Sequence, residues 1–286
     1  MTLLYLLITI AIVYVIYLSL SKHIESYSNI TNESYDDFKG KLIFYSNQYT
    51  YPEEIYDKFM YFMYDGMCFS EKMYHEQYMI IMSILNRNNS YINTIFIDGE
   101  CAPHLPIMFN FENTNIKCRA ISAPFSNILT KKFDKQIEIV DKTPKQNSFN
   151  CYVCFSHFMY YKSLSELQSY LNDIVTNILQ NGIVVFNVIN DWDIKTLYGY
   201  TNNDSNYFNM NYKFQTQSLQ NSNIFSFDEI ITDVQTNKVR TNKHALYKHS
   251  IDDIISLCHD IGLHKTHQKE MEHKTNYSVL VFKKII

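Results

Sequence analysis

The chain has 286 residues with 25 Lys plus Arg against 29 Asp plus Glu, a net charge of −4, and no basic cluster stronger than Lys131-Lys132 or the Lys238–Lys248 stretch. That balance argues against a nucleic-acid partner, and a composition that is 46% hydrophobic and 15% aromatic excludes a disordered chain. The length admits one large α/β domain with an appendage, and with 6 glycines in the whole chain each glycine carries information.

Leu3–Leu20 is an 18-residue run without a charge; at ~1.5 Å per residue it reaches about 27 Å, enough for a bilayer core. It predicts a transmembrane anchor over 1–22. The rival is a cleaved signal peptide with Ser19-x-Ser21 as the processing site, which the length of the run and the lack of a basic n-region oppose. Lys22, His23, Lys39 and Lys41 follow the span, so the positive-inside tendency makes this a single-pass membrane protein with its domain in the cytosol. Residues 23–50 read as a polar tether, and 51–286 as the domain.

From Pro52 to Asn86 apolar residues recur at helical spacing (Ile55, Phe59, Phe62, Met63, then Tyr74, Tyr78, Ile81, Leu85), which predicts two helices broken at Gly66. Ile92–Ile97 reads as a short buried strand ending at Asp98-Gly99. Strands at Lys117–Ile121, Gln136–Val140, Asn150–Phe155 and Ile183–Val188 then alternate with helices at Pro103–Phe109, Ser126–Lys132 and Leu164–Gln180. The last helix has a capping box, Ser163 with Glu166, and a stop at Gly182. Strand and helix in alternation predict a mostly parallel sheet covered on both faces. Residues 199–222 are polar and aromatic, and Ile224–Asp233 and Val239–Tyr247 read as antiparallel strands around a turn at Gln235–Lys238. A helix capped by Ser250 and ended by Gly262 follows, then strands Leu263–Lys269 and Tyr277–Lys283. The six cysteines are scattered, and Cys151-x-x-Cys154 lies in a strand whose alternation sends the two thiols to opposite faces, so no metal is expected.

Several segments in this order resemble the class I S-adenosylmethionine-dependent methyltransferases, small-molecule type. Ile92-Asn-Thr-Ile-Phe-Ile-Asp98-Gly99 is similar to the family's first strand and its acidic end, and Ser148–Phe158 to the fourth strand. Leu179-Gln-Asn-Gly182-Ile-Val-Val-Phe186 is similar to the turn and fifth strand, and His259-Asp-Ile-Gly262 to the late helix. Ile55-Tyr56-Asp57 and Tyr64-Asp65 resemble the tyrosine-aspartate element that covers the cofactor. Ile224–Tyr247 is similar to the antiparallel lid of such proteins, including methyltransferase-like proteins of large DNA viruses. The resemblance implies a Rossmann-like seven-stranded α/β sheet with an antiparallel C-terminal hairpin, a lid insertion over 199–247 and, in this chain, the N-terminal transmembrane helix. It implies S-adenosyl-L-methionine as cofactor, held by Tyr64, Asp98, Gly99, Glu100, Ser122, Asp141, Phe155 and Ser156. His157 and His244 are its candidate bases, and Glu229 faces the same cavity from the lid.

The chain departs from the family at two places. In Asp98-Gly-Glu-Cys-Ala-Pro-His104 only Gly99 remains of the glycines that let the backbone approach the cofactor, and Glu100, Ala102 and His104 occupy the rest. No acid occurs between Glu112 and Asp134, so Ser122 stands where a carboxylate would bind the ribose diol, while Asp141 matches the acid for the adenine amino group. Two functions follow: a membrane-anchored methyltransferase acting on a small molecule or membrane-proximal acceptor, or a methyltransferase fold without catalysis, serving as an interaction or virion-membrane protein.

Overall fold

A computed structural model describes residues 48–49, 52–57, 59–60, 71–87, 92–100, 114–133, 137–145, 147–155, 163–190, 192, 210–217, 223–272 and 277–285. The expected anchor over 1–22, most of the tether, the break at Gly66 and the helix Pro103–Phe109 lie outside the described residues. Among the described residues no helix is long and apolar enough to cross a membrane. The chain divides into Met1–Phe44 and Tyr45–Ile286, and the described residues all belong to the second unit.

Its elements run β1 (Gln48–Tyr49), α1 (Pro52–Ile55), α2 (Glu71–Arg87), β2 (Thr94–Glu100), β3 (Asn115–Ala120), α3 (Ala123–Lys132), β4 (Glu138–Ile139), β5 (Phe149–Cys154), α4 (Leu164–Asn177) and β6 (Ile178–Ile189). Then come β7 (Met210–Gln217), β8 (Ile224–Asp233), β9 (Val239–Tyr247), α5 (Ile251–Asp260), β10 (Leu263–Glu270) and β11 (Tyr277–Lys284). Seven strands form one sheet in the order β10-β11-β6-β5-β2-β3-β4, with β11 antiparallel to both neighbours and the other pairs parallel. The chain therefore starts in the middle at β2, builds outward to β4, and returns to the other side of β2 with β5. That reversal opens a crevice at the carboxyl ends of β2 and β5, where sheets of this kind bind ligands.

The core follows from strand alternation, except that a register shift between Phe149 and Cys151 brings Phe149 to the face of Tyr152. Phe96, Phe149, Tyr152, Phe186 and Phe282 point to one face and are covered by Leu167, Leu171 and Ile174 of α4 with Ile254, Leu257 and Cys258 of α5. Phe186 and Phe282 stack with ring centroids 5.1 Å apart. Both helices start as expected: Glu166 N donates to Ser163 Oγ at 3.2 Å, and Asp253 N to Ser250 Oγ at 3.0 Å. Gly262 ends α5 in the left-handed region, at φ 87°.

Four expectations change. The helix expected to reach Gln180 stops at Asn177, because Ile178 already pairs with Phe149 and Lys284 Nζ donates to the carbonyls of Val175 at 2.7 Å and Ile178 at 3.0 Å. Asn181, not Gly182, takes the positive φ of 62°. Gly182 is required for closeness instead: a Cβ there would lie 2.5 Å from Ile178 Cγ1 and 2.7 Å from the Leu179 carbonyl oxygen. The strand expected over Gln136–Val140 shrinks to two residues, Glu138–Ile139, at the sheet edge.

The lid is also larger than its two expected strands. It is a four-stranded sheet in the order β1-β9-β8-β7. β7 lies in the polar and aromatic segment 199–222, which carries no expected strand, and pairs antiparallel with β8; β1, within the supposed tether, pairs parallel with β9. The β8–β9 turn is held by Asp233, whose Oδ1 accepts from Gln235 N at 2.8 Å and whose Oδ2 accepts from Thr236 Oγ1 at 2.6 Å.

Candidate functional site

The carboxyl ends of the parallel strands bring Asp98 (β2), Ser122 (after β3), Asp141 (after β4) and Phe155 (after β5) to one edge of the sheet. At the base of β2 and β5, Thr94 N donates to Asn150 Oδ1 at 3.1 Å, so Asn150 ties the two central strands together.

Asp98 is 1% exposed and is held from three elements. Arg119 of β3 donates Nε to Oδ1 and Nη2 to Oδ2, each at 2.5 Å. Tyr152 of β5 donates to Oδ2 at 2.9 Å, and the Tyr170 hydroxyl of α4 also donates there. The Tyr152 and Tyr170 hydroxyls touch each other. Arg119 Nη1 reaches on to Thr143 Oγ1 at 3.3 Å, which fastens the loop carrying Asp141 to the end of β2. Burial opposes the charge on Arg119, but the bidentate bond and attraction to Asp98 outweigh it and its pKa rises. Burial first, and Asp98 second, push the Tyr152 hydroxyl well above its ordinary value, so it stays a donor. Asp98, read as a cofactor ligand, is thus engaged in locking the end of β2.

Ser122 is 7% exposed and serves the protein rather than the crevice. Its Oγ accepts from Phe125 N at 3.3 Å as the N-cap of α3 and donates to the Tyr56 carbonyl. A capping hydroxyl that also has an acceptor has no hydrogen left to offer a ribose, though its oxygen retains a lone pair. Asp141 is exposed after β4, and Phe155 is 8% exposed after β5. Gly99 and Glu100 close β2, with Glu100 paired to Ala120 across a register shift. Tyr64, Ser156 and His157 lie outside the described residues.

The lid contributes a buried polar row. His244 Nε2 lies 3.2 Å from Glu229 Oε2, and Asn242 Nδ2 donates to that same oxygen at 2.7 Å. Arg240 donates Nε to Asn242 Oδ1 at 2.9 Å, Nη1 to Asp57 Oδ2 at 2.7 Å and Nη2 to the Ile55 carbonyl at 3.1 Å. The His244 ring stacks on Phe227 at 4.5 Å. His244 and Glu229, expected to face one cavity from the lid, are both buried and in contact with each other; that they join one network running to Asp57 was not foreseen. Tyr56 and Asp57 therefore bridge the two sheets, Tyr56 through Ser122 and an edge contact with Phe125 at 5.7 Å, Asp57 through Arg240.

Sequence reading also missed Arg119, Tyr152 and Tyr170. The signal was there for one of them: an arginine inside the inner strand Asn115–Ala120 requires a nearby anion, and Asp98 is the acid at the end of the adjacent strand. Tyr170 gave none, since an aromatic at a helical position reads as core.

No protein-family profile and no curated protein sequence matches the chain. Solved structures do match. A S-adenosylmethionine-dependent methyltransferase from Clostridium acetobutylicum superposes with a TM-score of 0.62 at 17% identity, over 79% of this chain and 97% of its own. The CcbJ methyltransferase from Streptomyces caelestis gives 0.57 at 9% identity over 82% and 96%. CalS10, an amino pentose methyltransferase from Micromonospora echinaspora, gives 0.55 at 8% over 74% and 91%. With the strand order β10-β11-β6-β5-β2-β3-β4 and the antiparallel β11, these likenesses establish that the chain has the class I S-adenosylmethionine-dependent methyltransferase fold.

Proposed function

We propose that this protein is a S-adenosylmethionine-dependent methyltransferase acting on a small-molecule acceptor, held at a membrane by residues 3–20. The observation that carries the reading is the sheet order, with its reversal at β2/β5 and with Asp98, Asp141 and Phe155 at or just after the carboxyl ends of its strands. The described residues fit the cofactor in part. Asp141, exposed after β4, would accept from the adenine amino group; Phe155 would give an apolar wall; the backbone of Gly99–Glu100 lies at the end of β2. Ser122 caps α3 and donates to the Tyr56 carbonyl, so toward a ribose it could act only as an acceptor.

The bound cofactor supplies an electrophilic methyl group; the chain supplies position and exclusion of water. Asp98 acts through the lock on β2, keeping the crevice edge fixed. The lid, with His244 against Glu229, closes over the acceptor, and His244 and His157 are the candidate groups to take a proton from it. A second reading, a fold that binds partners without catalysis, draws on the same lock, since Asp98 and Ser122 are both consumed inside the protein.

Titration calorimetry of S-adenosylmethionine and S-adenosylhomocysteine into the detergent-purified full chain separates the two. Micromolar binding that is lost in Asp141→Ala supports the enzyme. No heat at millimolar cofactor overturns it in favour of the second reading. Membrane attachment is tested by deleting residues 1–22: a protein that stays in the membrane fraction refutes the anchor.

A further inference from the structure

The lid is fastened to the rest of the domain at both ends of its β8–β9 hairpin. At the base, Trp192, which follows β6, sets its ring against Phe225 of β8 with centroids 5.9 Å apart. Lys248 N donates there to the Asn223 carbonyl at 2.8 Å. At the tip, Arg240 of β9 donates to Asp57 at 2.7 Å and to the Ile55 carbonyl at 3.1 Å, and its guanidinium lies 5.2 Å from the centre of the Phe59 ring. Asn242 Nδ2 donates to Met60 Sδ at 3.2 Å. Tyr56 seats this segment on the main sheet: its carbonyl accepts from Ser122 Oγ and its ring meets Phe125 edge-on.

The two fastenings belong to different strands of the sheet. Trp192 follows the carboxyl end of β6, and Ser122 follows that of β3. In the order β6-β5-β2-β3, whose neighbours are all parallel, the strands between them are β5 and β2, which flank the crevice. The gap to cross is three strand spacings, about 14 Å. On the lid, Phe225 pairs with Leu246 and Ile231 with Arg240, so base and tip are separated by about 20 Å of strand. The hairpin is long enough to lie as a bar across the carboxyl ends of β5 and β2, with Glu229, Asn242 and His244 buried on its inner face between base and tip.

The fastenings differ in kind. At the base β9 runs on into α5 through Lys248–Ser250, so this end turns without coming apart. At the tip the hold is an ion pair in which Arg240 is fully buried and the Asp57 side chain is 27% exposed, so water can take over the carboxylate when the bond breaks. The other connection, residues 193–209, joins β7 at the tip and has the length to follow the movement. We propose that the lid is a hinged bar, pivoting at Trp192–Phe225 and latched by Arg240 on Asp57, and that the β2/β5 crevice is entered when this latch lets go. A buried guanidinium without its anion is costly, so the latched state is the populated one. The inference rests on the methyltransferase reading for what the crevice holds, not for the motion. Arg240 and Asp57 are positioning residues that act through the lid.

The test places nitroxide pairs on the full chain with Cys68 and Cys101 replaced by serine, the thiols of Cys118, Cys151, Cys154 and Cys258 being buried. One pair, Gln235→Cys with Lys131→Cys, joins the lid tip to α3; the other, Asn223→Cys with Asp252→Cys, joins the lid base to α5, and all four positions are exposed. Distances between the labels are read by electron spin resonance with Asp57 intact and in Asp57→Asn. In Asp57→Asn the tip pair should gain a second population longer by at least about 5 Å, the travel of a ~20 Å bar turned through about 15°, while the base pair stays as it was. An unchanged tip pair overturns the latch. So do two pairs that lengthen together, which shows that the clasp holds the whole fold. If Asp57→Asn does not fold, the protein with Asp57 intact decides: in samples frozen after warming short of the melting midpoint the tip pair should broaden before the base pair, and simultaneous broadening overturns the hinge. S-adenosylhomocysteine separates this inference from the reading beneath it. Its entry and exit rates should each rise about tenfold in Asp57→Asn; equal rates in the two proteins overturn the gate. If the longer tip population is present and no S-adenosylhomocysteine binds, the methyltransferase reading fails and the latch stands.

Discussion

Replacing Arg119 by methionine tests the lock on β2 directly. The change keeps most of the apolar stem and removes the guanidinium, so the Asp98 carboxylate, 1% exposed, loses its bidentate cationic partner and keeps the Tyr152 and Tyr170 hydroxyls as donors. Breaking a buried pair by removing one partner costs about 3–5 kcal/mol. Arg119 is 25% exposed and the tyrosine donors survive, which places the expected loss at the lower end, about 3 kcal/mol. For a domain of this size that is a fall in melting midpoint of roughly 6–12 °C. The companion is Asp98→Asn with Arg119→Met: with no charge left to bury, the double variant should recover at least about 1 kcal/mol over Arg119→Met alone. Equilibrium urea unfolding followed by circular dichroism reads both. If Arg119→Met unfolds within about 0.5 kcal/mol of wild type, or the double variant is no better than the single, Asp98 is not held as described.

Three further outcomes are expected. Gly182→Ala should destabilise by about 1–3 kcal/mol, because its Cβ would press on Ile178 Cγ1 and on the Leu179 carbonyl, and backbone yields less readily than a side chain; urea unfolding indistinguishable from wild type refutes the close approach. Asp57→Asn removes the anionic partner of Arg240, whose side chain is fully buried while that of Asp57 is 27% exposed. The expected cost is about 3 kcal/mol, together with faster proteolysis between residues 50 and 60, and an unchanged cleavage pattern counts against Asp57 as the bridge between the sheets. At alkaline pH, burial pushes the Cys151 thiol up to about 12 and raises Cys258 and Tyr152 as well. In the unfolded chain these groups ionise near about 8.5 for Cys and about 10 for Tyr. The unfolded state therefore binds fewer protons than the native state above that range, and stability falls as pH rises from about 9 toward 12. The urea midpoint at pH 10.5 should lie below that at pH 8, by less in Cys151→Ala; a flat profile argues that the thiol is not buried.

Much of the fold was legible because it rests on local patterns that act over a few residues. Ser163 and Ser250 with their third-residue partners start α4 and α5, Gly262 stops α5, and β8 and β9 lie where their alternation put them. β7 was missed although Met210, Tyr212 and Phe214 alternate with Asn211, Lys213 and Gln215, because that short alternation lies inside a polar, aromatic stretch and is fixed as a strand by pairing with β8. β1 was missed because it is two residues in a polar stretch that exist as strand through β9. The site was legible at the level of which residues end the strands, and illegible at the level of what each one touches.

Sequence alone determined the order of strand and helix, the acidic end of the first core strand, and the uncharged N-terminal run, since each depends on neighbours along the chain. The tertiary structure decided the use of the side chains. Asp98 became a structural anion because β3 brings Arg119, 21 residues away, onto its carboxylate. Arg240 became the clasp between lid and sheet because Asp57 lies 183 residues before it in the chain and 2.7 Å away in space. A carboxylate buried beside a guanidinium is held by charge and hydrogen bonds that no local spacing encodes, so its role is settled only once the strands are set side by side.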